Sequence, residues 1–281
     1  MGQFFARPEG PGAALASARV SGNASAMAMA AERELEKAVV AAWPAAQQAD
    51  LEGWLLRASG GPTHRGNSVA ALDASGSLRL ETRIERAENW YRERALPPMF
   101  QVGPCSEPRE LDAALVARGY RETGVAWMAT APASRVLERS ANGLRTELGL
   151  TATADWLQVS NSASRFASTS DVLLGFLERL AARCRFAIAY DERAQPLAIG
   201  LGILSERHLG VYAMLSVPEH RRRGAARAVL RALAESAQQE SKAELYLLVE
   251  AKNAAARALY AGCGFEDRYG YHYRVFDPAR H

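Results

Sequence analysis

Residues 215–234 read LSVPEHRRRGAARAVLRALA, and this stretch decides the fold. A β-rich run ends at Pro218, three consecutive arginines follow, and Gly224 with two alanines opens an Ala-rich helix. The first N–H groups of a helix have no intrahelical acceptor and lie at the positive end of its dipole, so an anion can bind there. Arginines beside such a turn also pair with phosphate oxygens. The stretch therefore predicts a strand-to-helix turn that binds a pyrophosphate.

Residues 253–265, NAAARALYAGCGF, form a second motif one strand further along the chain. Asn253 is a good helix N-cap, because its side-chain oxygen can accept from an amide of the first turn. Asn253, Ala256 and Tyr260 are spaced so that they share one helix face. Gly264 can end the helix in a left-handed conformation before Phe265 enters a strand. The motif predicts a helix whose tyrosine lies on the same face as its N-cap.

The two motifs resemble the signatures of the GNAT superfamily, the acetyl-CoA-dependent N-acetyltransferases. The first matches R-x-x-G-x-G/A at Arg221, Gly224 and Ala226, and the second matches N-x-x-A-x-x-L-Y-x-x-x-G-F from Asn253 to Phe265. Either motif alone would be a weak signal, but their joint spacing is specific. The resemblance implies an α/β fold with a mixed sheet, the acyl-CoA N-acyltransferase fold. It also implies an acyltransferase that moves an acetyl group from acetyl-CoA to a primary amine.

The resemblance further implies acetyl-CoA as cosubstrate, with no metal. By it, backbone amides of the turn hold the pyrophosphate, the preceding strand bonds the pantetheine arm and the acetyl carbonyl, and the N-cap contacts the pantetheine region. The cofactor-binding residues expected in this way are Leu215, Ser216, Val217, Arg222, Arg223, Gly224, Ala225, Ala226, Arg227 and Asn253.

Two side chains are expected to be catalytic. The resemblance makes Tyr260 the general acid that protonates the departing thiolate, a role that suits a phenol within hydrogen-bond reach of sulfur. Many members of the superfamily carry a Glu where this chain has Leu248, and the acid comes instead at Glu250. Both residues point to the same face of the predicted strand, so Glu250 could act as the base through water. A strand-end carboxylate that only orders the following loop is an equal alternative.

The acceptor is an amine on a small molecule or a protein, and the sequence does not distinguish them. A catalytically silent acetyl-CoA sensor is a second interpretation, favoured by Leu248 at the expected acid position. Nucleic-acid binding through the arginines at 221–223 is a third. A net charge of only +3 argues against it, and no nucleic-acid partner is expected.

The length of 281 residues favours two packed units. We predict a disordered tail over residues 1–28, with Met27 or Met29 as a possible natural start. A degenerate GNAT-like lobe would cover residues 29–132, and the catalytic domain residues 139–281. ALVARGYRETGVAWMA, from Ala114, parallels ALYAGCGFEDRYGYHYRV, from Ala258, which indicates an internal duplication. The first lobe has no R-x-x-G-x-G counterpart and places Val116 near the position of Tyr260, so only the second lobe should bind coenzyme A.

The secondary structure is predicted from periodicity and breakers. In the first half, GWLLRAS, NSVAALD and LRLETRI read as strands of an antiparallel meander, and residues 131–143 as a linker. In the second half, helices are predicted over residues 171–184, 224–239 and 253–263, with a closing strand pair around FEDRYGYHYRVF. Four polar residues of the first half could line a substrate groove, although most are expected to face water or an interface: Arg57, Arg65, Asn67 and Glu81. Trp54 and Trp90 are expected in the core.

Composition restricts the remaining classes. A hydrophobic fraction of 48% with 23% charged residues is typical of a globular protein with a sizeable core. The three cysteines match no metal or disulfide spacing, which favours a reducing compartment and predicts a cytoplasmic location. No apolar run approaches the ~18 residues of a membrane helix, so no membrane partner is expected. Oligomeric state is not predicted.

Overall fold

The computed structural model describes residues 11–59, 63–73, 75–140, 143–163, 175 and 177–276. The strands are β1 (Gln47–Leu51), β2 (Trp54–Ala58), β3 (Val69–Ala71), β4 (Met99–Val102), β5 (Arg121–Pro132), β6 (Arg145–Gly149), β7 (Cys184–Tyr190), β8 (Pro196–Leu204), β9 (His208–Ser216), β10 (Glu244–Glu250) and β11 (Glu266–Val275). The helices are α1 (Pro11–Ala41), α2 (Leu80–Arg92), α3 (Leu111–Ala117), α4 (Ala133–Arg139), α5 (Ala154–Ala163), α6 (Ala225–Gln239) and α7 (Ala254–Gly262).

The described strands form one mixed sheet, in the order β1-β2-β3-β4-β11-β5-β10-β9-β8-β7-β6. The sheet repeats one pattern on either side of the central β11–β5 pair. Moving outward, each side has first an antiparallel, then a parallel and then two antiparallel neighbours. The side that starts at β5 has one more antiparallel strand, β6. The pairing supports an internal duplication and confirms the mixed α/β fold class.

Each half of the chain places its last strand in the other half. β5 ends the first half but pairs with β10, and β11 ends the second half but pairs with β4. The two strands also pair with each other, Arg121 opposite Val275 and Thr130 opposite Glu266. Each half of the sheet is therefore completed by a strand from the other half.

Strand β10 shows which side of the sheet faces which helices. Leu245, Leu247 and Val249 belong to the core cluster formed with α6. Tyr246 lies in the cluster formed with α1 and α5, and Leu248 packs against the rim of that cluster. Successive strand residues alternate between faces, so the sheet has an α6–α7 face and an α1 face at this point.

Helix α6 follows its predicted range because its apolar residues recur at helical spacing. Val229, Leu230 and Leu233 are completely buried against the sheet. Burying one such side chain contributes about 1.5–3 kcal/mol. This packing fixes the N-terminus of α6 at the end of β9.

One predicted strand is wrong. Residues 78–84 include the start of α2 rather than a strand. Ile84, Ala87 and Tyr91 are buried at positions i, i+3 and i+7, a helical period that becomes visible only beyond the short window LRLETRI. The predictions for β2 and β3 are confirmed, and β3 pairs antiparallel with β2 but parallel with β4.

The predicted linker at residues 131–143 is also wrong, because most of it is the end of β5 and α4. Ala133 and Val136 are buried in the cluster that α6 forms, and the Arg231 guanidinium donates to the Leu137 carbonyl at 2.9 Å. The segment connects the halves by packing on α6, which its Ala- and Ser-rich composition did not indicate.

Three further predictions need correction or lie partly outside the described residues. Residues 11–28, predicted as a disordered tail, belong to α1, in keeping with the high helix propensity of alanine; residues 1–10 lie outside the described part. The closing strand pair is one strand, β11, whose Gly270 lies between two register shifts instead of in a turn. Of the helix predicted over residues 171–184, residues 175 and 177–180 are helical, whereas 171–174 and 176 lie outside the described residues. Its predicted end is wrong, because residues 181–183 form a 3-10 turn and Cys184 begins β7.

Candidate active site

A V-shaped opening separates the ends of β9 and β10. The parallel pairing of the two strands ends where Val211 lies opposite Leu247. Beyond it β10 stays paired with β5 up to Glu250, while β9 stays paired with β8 through a register shift. Ala213, in this shift, has a φ of 46°, which marks a bulge that bends β9 away. The two strands therefore splay and turn backbone groups toward the gap.

Ser216 is the predicted strand residue that faces the opening. The Val217 amide donates to the Leu197 carbonyl of β8 at 2.9 Å. In an antiparallel pair, every second residue of a strand directs its N–H and C=O toward the same neighbouring strand. The backbone of Leu215 therefore also faces β8, and the backbone of Ser216 faces the gap. The predictions of Leu215 and Val217 as backbone contacts are therefore corrected.

The turn between β9 and α6 aims backbone amides outward. Arg222 and Gly224 have φ values of 66° and 82°. Ala225 and Ala226 lie in the first turn of α6, where an amide has no intrahelical carbonyl to reach. Arg223 is exposed beside them. Left-handed backbone next to a helix N-terminus is the geometry that places several N–H groups around one anion.

Arg227 has a different position from the one predicted. Its amide donates to the Gly224 carbonyl at 3.0 Å, so it is engaged within the turn. Its guanidinium donates to the carbonyls of Arg139 and Gly262 at 3.0 and 3.3 Å, which are the last residues of α4 and α7. A cation at two helix C-terminal ends is stabilising. Arg227 therefore ties three helices together and is removed from the amides available to a phosphate.

Tyr260 lies on the α6–α7 face, half-buried on α7. Its side chain borders an open cavity of about 320 Å³ that also has Val249 in its wall. Burial raises the pKa of Tyr260 to about 12, with a further contribution from the Cys263 thiol. The phenol therefore remains protonated near neutral pH, as a proton donor must.

Asn253 caps α7 as predicted, because its Oδ1 accepts from the Ala256 amide at 3.1 Å. The side chain of Asn253 is exposed and lies at the end of the loop that leaves β10. Its predicted contact with a pantetheine arm stays a prediction.

Glu250 lies on the opposite side of the sheet from Tyr260. Val249 faces α7, so Glu250 and Leu248 face the α1 side, which confirms that the latter two share a face. Glu250 is partly exposed and its carboxylate is 3.6 Å from the Lys252 ammonium. Tyr260 and Glu250 therefore lie on opposite faces of the sheet.

Comparison with known proteins decides the family. The family model described as "Probable histone acetyltransferase Rv0428c C-terminal" matches residues 29–274, most of the chain. The chain belongs to this family of GNAT acetyltransferases. It is therefore an acyltransferase of the GNAT type, and the resemblance of its two motifs is confirmed.

Two relatives of this acetyltransferase cover very different shares of it. The uncharacterized N-acetyltransferase YobR of Bacillus subtilis is 30% identical over 256 residues, 86% of this chain and 98% of that protein. The probable histone acetyltransferase Rv0428c of Mycobacterium tuberculosis is 42% identical over 73 residues, 26% of this chain and 23% of that protein. The second match thus spans less than a quarter of that relative's length.

Solved structures show the same fold. A GCN5-related N-acetyltransferase from Kribbella flavida has a TM-score of 0.66 at 12% identity and covers 89% of this chain and 95% of its own. A tandem GNAT protein from the clavulanic acid biosynthesis pathway has a TM-score of 0.55 at 15% identity, with 70% of each chain covered. At such low identity the likeness concerns the fold alone, and it matches the two-lobed sheet of this acetyltransferase.

The polar residues suggested for the first half of the acetyltransferase have diverse positions. Glu81 is exposed in the first turn of α2, away from the splay. Asn67 accepts from the Ser59 amide at 2.9 Å and donates to the Thr63 carbonyl at 2.8 Å, so it shapes its own loop. Arg57 is completely buried.

Arg65, the fourth of these residues, packs beside the splay on the α1 face, against the Tyr212 ring. Trp54 is completely buried, as predicted, and its ring N–H donates to the Glu107 carbonyl at 2.8 Å. Trp90 is half-buried and packs against Tyr91. Arg65 is thus the one member of the set of four polar residues that lies next to the open strands.

The described residues lack a membrane-spanning helix and a metal-binding cluster. None of their helices is long and apolar enough to cross a bilayer. In the same part of the chain, no three His, Cys, Asp or Glu side chains are grouped closely enough to hold a metal ion.

Proposed function

We propose that this enzyme transfers the acetyl group of acetyl-CoA to a primary amine by direct attack. The observation that carries the proposal is the splay of β9 and β10, which opens beside the N-terminus of α6, with Tyr260 on the same face of the sheet as that helix. Acetyl-CoA supplies the acetyl group as a thioester, the bond that the amine nitrogen replaces.

The chain offers a complementary group for each part of this cosubstrate. The start of α6 suits the diphosphate, through Gly224 and the amides of Arg222, Arg223, Ala225 and Ala226. The backbone of Ser216, turned to the gap, suits the polar pantetheine and acetyl groups. Backbone donors held in place before the reaction stabilise the oxyanion that develops on a carbonyl.

The proposed proton transfers use one group on each side of the sheet. Tyr260, whose pKa of about 12 keeps it protonated, would give its proton to the departing sulfur. On the α1 face, Glu250 would take the proton of the attacking amine, directly or through a water molecule. Leu248, at the position where many superfamily members have an acid, contributes only apolar packing to that face.

The acceptor proposed at this level is an amine on a small molecule or a protein. The printed name of one relative, a probable histone acetyltransferase, names a protein acceptor for that relative. The other, longer match has no named acceptor. We place the reaction in the cytoplasm, which remains an inference from composition.

The test measures acetyl-CoA binding by calorimetry and thiol release in an amine panel. Wild-type protein is expected to bind acetyl-CoA and to release thiol with at least one class of amine. Tyr260→Phe should keep the binding and lose about 10²–10⁴-fold in kcat, the usual contribution of a positioned acid. The matched control is Tyr190→Phe on β7, a strand that does not border the splay; it removes a hydroxyl that contacts Asp155 at 3.2 Å. Its kcat should stay at the wild-type level.

Each possible result has one interpretation. No heat with either acetyl-CoA or free coenzyme A would refute the proposal. Binding without thiol release on any amine would refute the transfer and favour an acetyl-CoA sensor, as the leucine at position 248 suggested. Equal losses in the two tyrosine variants would remove the special role of Tyr260.

A further inference from the structure

An arginine of the first half lies beside the start of the splay. The guanidinium carbon of Arg65 is 5.6 Å from the centre of the Trp43 ring and 5.5 Å from that of Tyr212. Tyr212 immediately precedes the bulge at Ala213, where β9 leaves β10. The guanidinium thus lies against two aromatic rings at the start of the splay.

The same arginine is anchored to the strand row that contains the candidate base. Glu250 pairs with Ala126, and Ala126 pairs with Tyr271, so the three lie in one row across the sheet. Arg65 hydrogen-bonds the Tyr271 hydroxyl. Neighbouring strands are about 4.8 Å apart, which places Glu250 and Tyr271 roughly 10 Å apart, on either side of the buried Ala126. Arg65 is therefore held at the opposite end of this row from Glu250.

The interior beside Arg65 carries unbalanced positive charge. Arg57 is completely buried behind Arg65 and donates to Ser68 and to the Gln101 amide oxygen, at 3.0 and 3.2 Å. Within the described part of the chain, neither arginine has a carboxylate oxygen within 4.0 Å. One Nη atom of Arg57 has no hydrogen-bond partner there.

The one carboxylate close to this charge does not neutralise it. Glu36 is buried and accepts from Gln101 at 3.0 Å. Burial raises the pKa of Glu36 to about 7, although Tyr269 and Arg57 act in the opposite direction. The carboxyl is therefore only partly ionised near neutrality. Buried charges without a full counter-charge are costly, and an anion from outside would lower that cost.

We propose that Arg65 binds an anionic oxygen group, a carboxylate or a phosphate, on the amine acceptor. The inference rests on the proposed acetyl transfer and adds the class of acceptor: an amino-acid-like or phosphorylated amine. Arg65 keeps part of its surface exposed, and a guanidinium can pair with two oxygens of a carboxylate or a phosphate at once. A polycationic acceptor would be repelled by the same charge.

The experiment compares matched pairs of acceptors that differ only in the anionic group. Free amino acids are compared with their amides, and phosphoethanolamine with ethanolamine, by thiol release and by calorimetry on protein saturated with free coenzyme A. A cationic histone-tail peptide is included. At least one anionic member should bind and react about tenfold or more better than its neutral partner, the size of effect expected for a charged group bound by arginine. Which pair shows the difference identifies carboxylate or phosphate.

Variants then test whether Arg65 is responsible. Arg65→Gln should reduce the anionic-to-neutral ratio toward one, with unchanged acetyl-CoA affinity, and Arg65→Lys should keep part of the preference because it keeps the charge but not the fork. Arg109→Gln, an exposed arginine of the same half, is the control. Circular dichroism confirms that each variant is folded.

The outcomes separate this inference from the proposed function. Three outcomes would overturn the role of Arg65 and leave acetyl transfer intact. The enzyme could use anionic and neutral amines equally well, or it could prefer the histone-tail peptide. The preference for anionic amines could also survive in Arg65→Gln. A protein that binds neither member of any pair would overturn this role as well. Loss of acetyl-CoA binding in the wild type would instead refute the proposed function.

Discussion

The two helix-to-strand joints of the sheet have the same backbone. After α3, Gly119 has a φ of 84° and the Tyr120 amide donates to the Leu115 carbonyl at 3.0 Å. After α7, Gly264 has a φ of 94° and Phe265 makes the same bond five residues back, also at 3.0 Å. In both joints a glycine ends the helix in the left-handed region and an aromatic residue enters the strand.

The two joints differ in one side chain that decides their use. The shared bond makes Leu115 the counterpart of Tyr260, so the sequence comparison that placed Val116 there was wrong by one residue. Leu115 is completely buried, Val116 is 51% exposed, and Tyr260 borders a cavity. Duplicated backbone thus serves packing in one half and a candidate acid in the other.

The N-termini of α2 and α6, the corresponding helices of the two halves, also differ in the side chains around them. At the start of α2 the chain supplies its own anion, because Glu52 accepts from the Leu78 amide at 2.7 Å and lies 3.4 Å from the Arg83 guanidinium. At the start of α6 the neighbours are exposed arginines. A helix N-terminus that already holds a carboxylate is closed to a phosphate, and this gives a physical reason why only the second half should bind acetyl-CoA.

The largest expected effects come from mutating the equivalent positions in the two joints. Leu115→Ala should lower the free energy of unfolding by about 2–5 kcal/mol, the cost of a core cavity, and leave kcat of the remaining folded protein unchanged. Tyr260→Phe should alter unfolding by less than about 1 kcal/mol and abolish most turnover. Urea denaturation and initial rates measure the two. Coupled losses of stability and kcat in both variants would contradict the division between packing and chemistry.

A second prediction concerns Glu36, the carboxyl group near the buried Arg57 of β2. The counterpart of β2 in the other half of the sheet, β8, is entirely apolar and carries no buried charge. The folded-state pKa of Glu36, about 7, lies above its ordinary 4.5, so the folded state holds the proton more tightly than the unfolded state. This contribution to stability is greatest below about pH 4.5 and is lost as the pH rises through about 7, by roughly 3 kcal/mol.

Glu36→Gln tests this sign. Relative to wild type, the free energy of unfolding of the variant should increase by roughly that amount from pH 4.5 to pH 7 and then stay level. Urea denaturation across this range is the measurement, with the exposed Glu110→Gln as control. A pH-independent difference between wild type and Glu36→Gln would show that Glu36 is ionised in the folded state throughout.

A third prediction tests the N-terminus of α6. Gly224→Val places a branched side chain at a φ of 82°, which costs about 1–3 kcal/mol and fills the approach to the amides. Acetyl-CoA affinity should fall roughly 10–100-fold. Gly143→Val, where an added Cβ meets open space, is the matched control for calorimetry. Unchanged affinity in Gly224→Val would place the diphosphate elsewhere.

The smallest effect is expected at the N-terminus of α2. Calorimetry should give one acetyl-CoA per chain, and Glu52→Gln should not create a second site, because the glutamine still covers the amide. The pKa of Glu52 is lowered, chiefly by the Leu78 amide, so its contribution to stability is present above its unfolded pKa and lost as the pH falls through the folded value. A stoichiometry of two would refute the closed N-terminus.

The sequence predicted those parts of the fold that depend on local pattern. The amphipathic period of α6, the cap of α7 and the glycine joints all arise from residues close together in the chain, and all are confirmed. The placement of β5 and β11 depends on pairing between residues more than a hundred positions apart, for which one sequence carries no local signal. The short windows that misassigned residues 78–84 and 131–143 failed because burial by distant elements determined those segments.

The candidate site was predictable in outline and not in detail. The motifs identified the turn and Tyr260, but which backbone groups face the gap depends on the pairing register, which turned Leu215 and Val217 toward β8 and Ser216 toward the opening. Arg227 was included by its position in the motif and is engaged with carbonyls of two helices. Arg65 was named among polar residues without any indication that aromatic rings would hold it beside the splay.

The exchanged strands have a consequence for how this protein is made. During translation β4 leaves the ribosome long before its neighbour β11, so its edge stays unpaired until residues 266–275 have emerged. An unpaired strand edge is a template for association with other chains. Neither half is therefore a module that could be cut out at the connecting segment and grafted into another protein. If the connecting segment is cleaved, the two fragments should remain assembled.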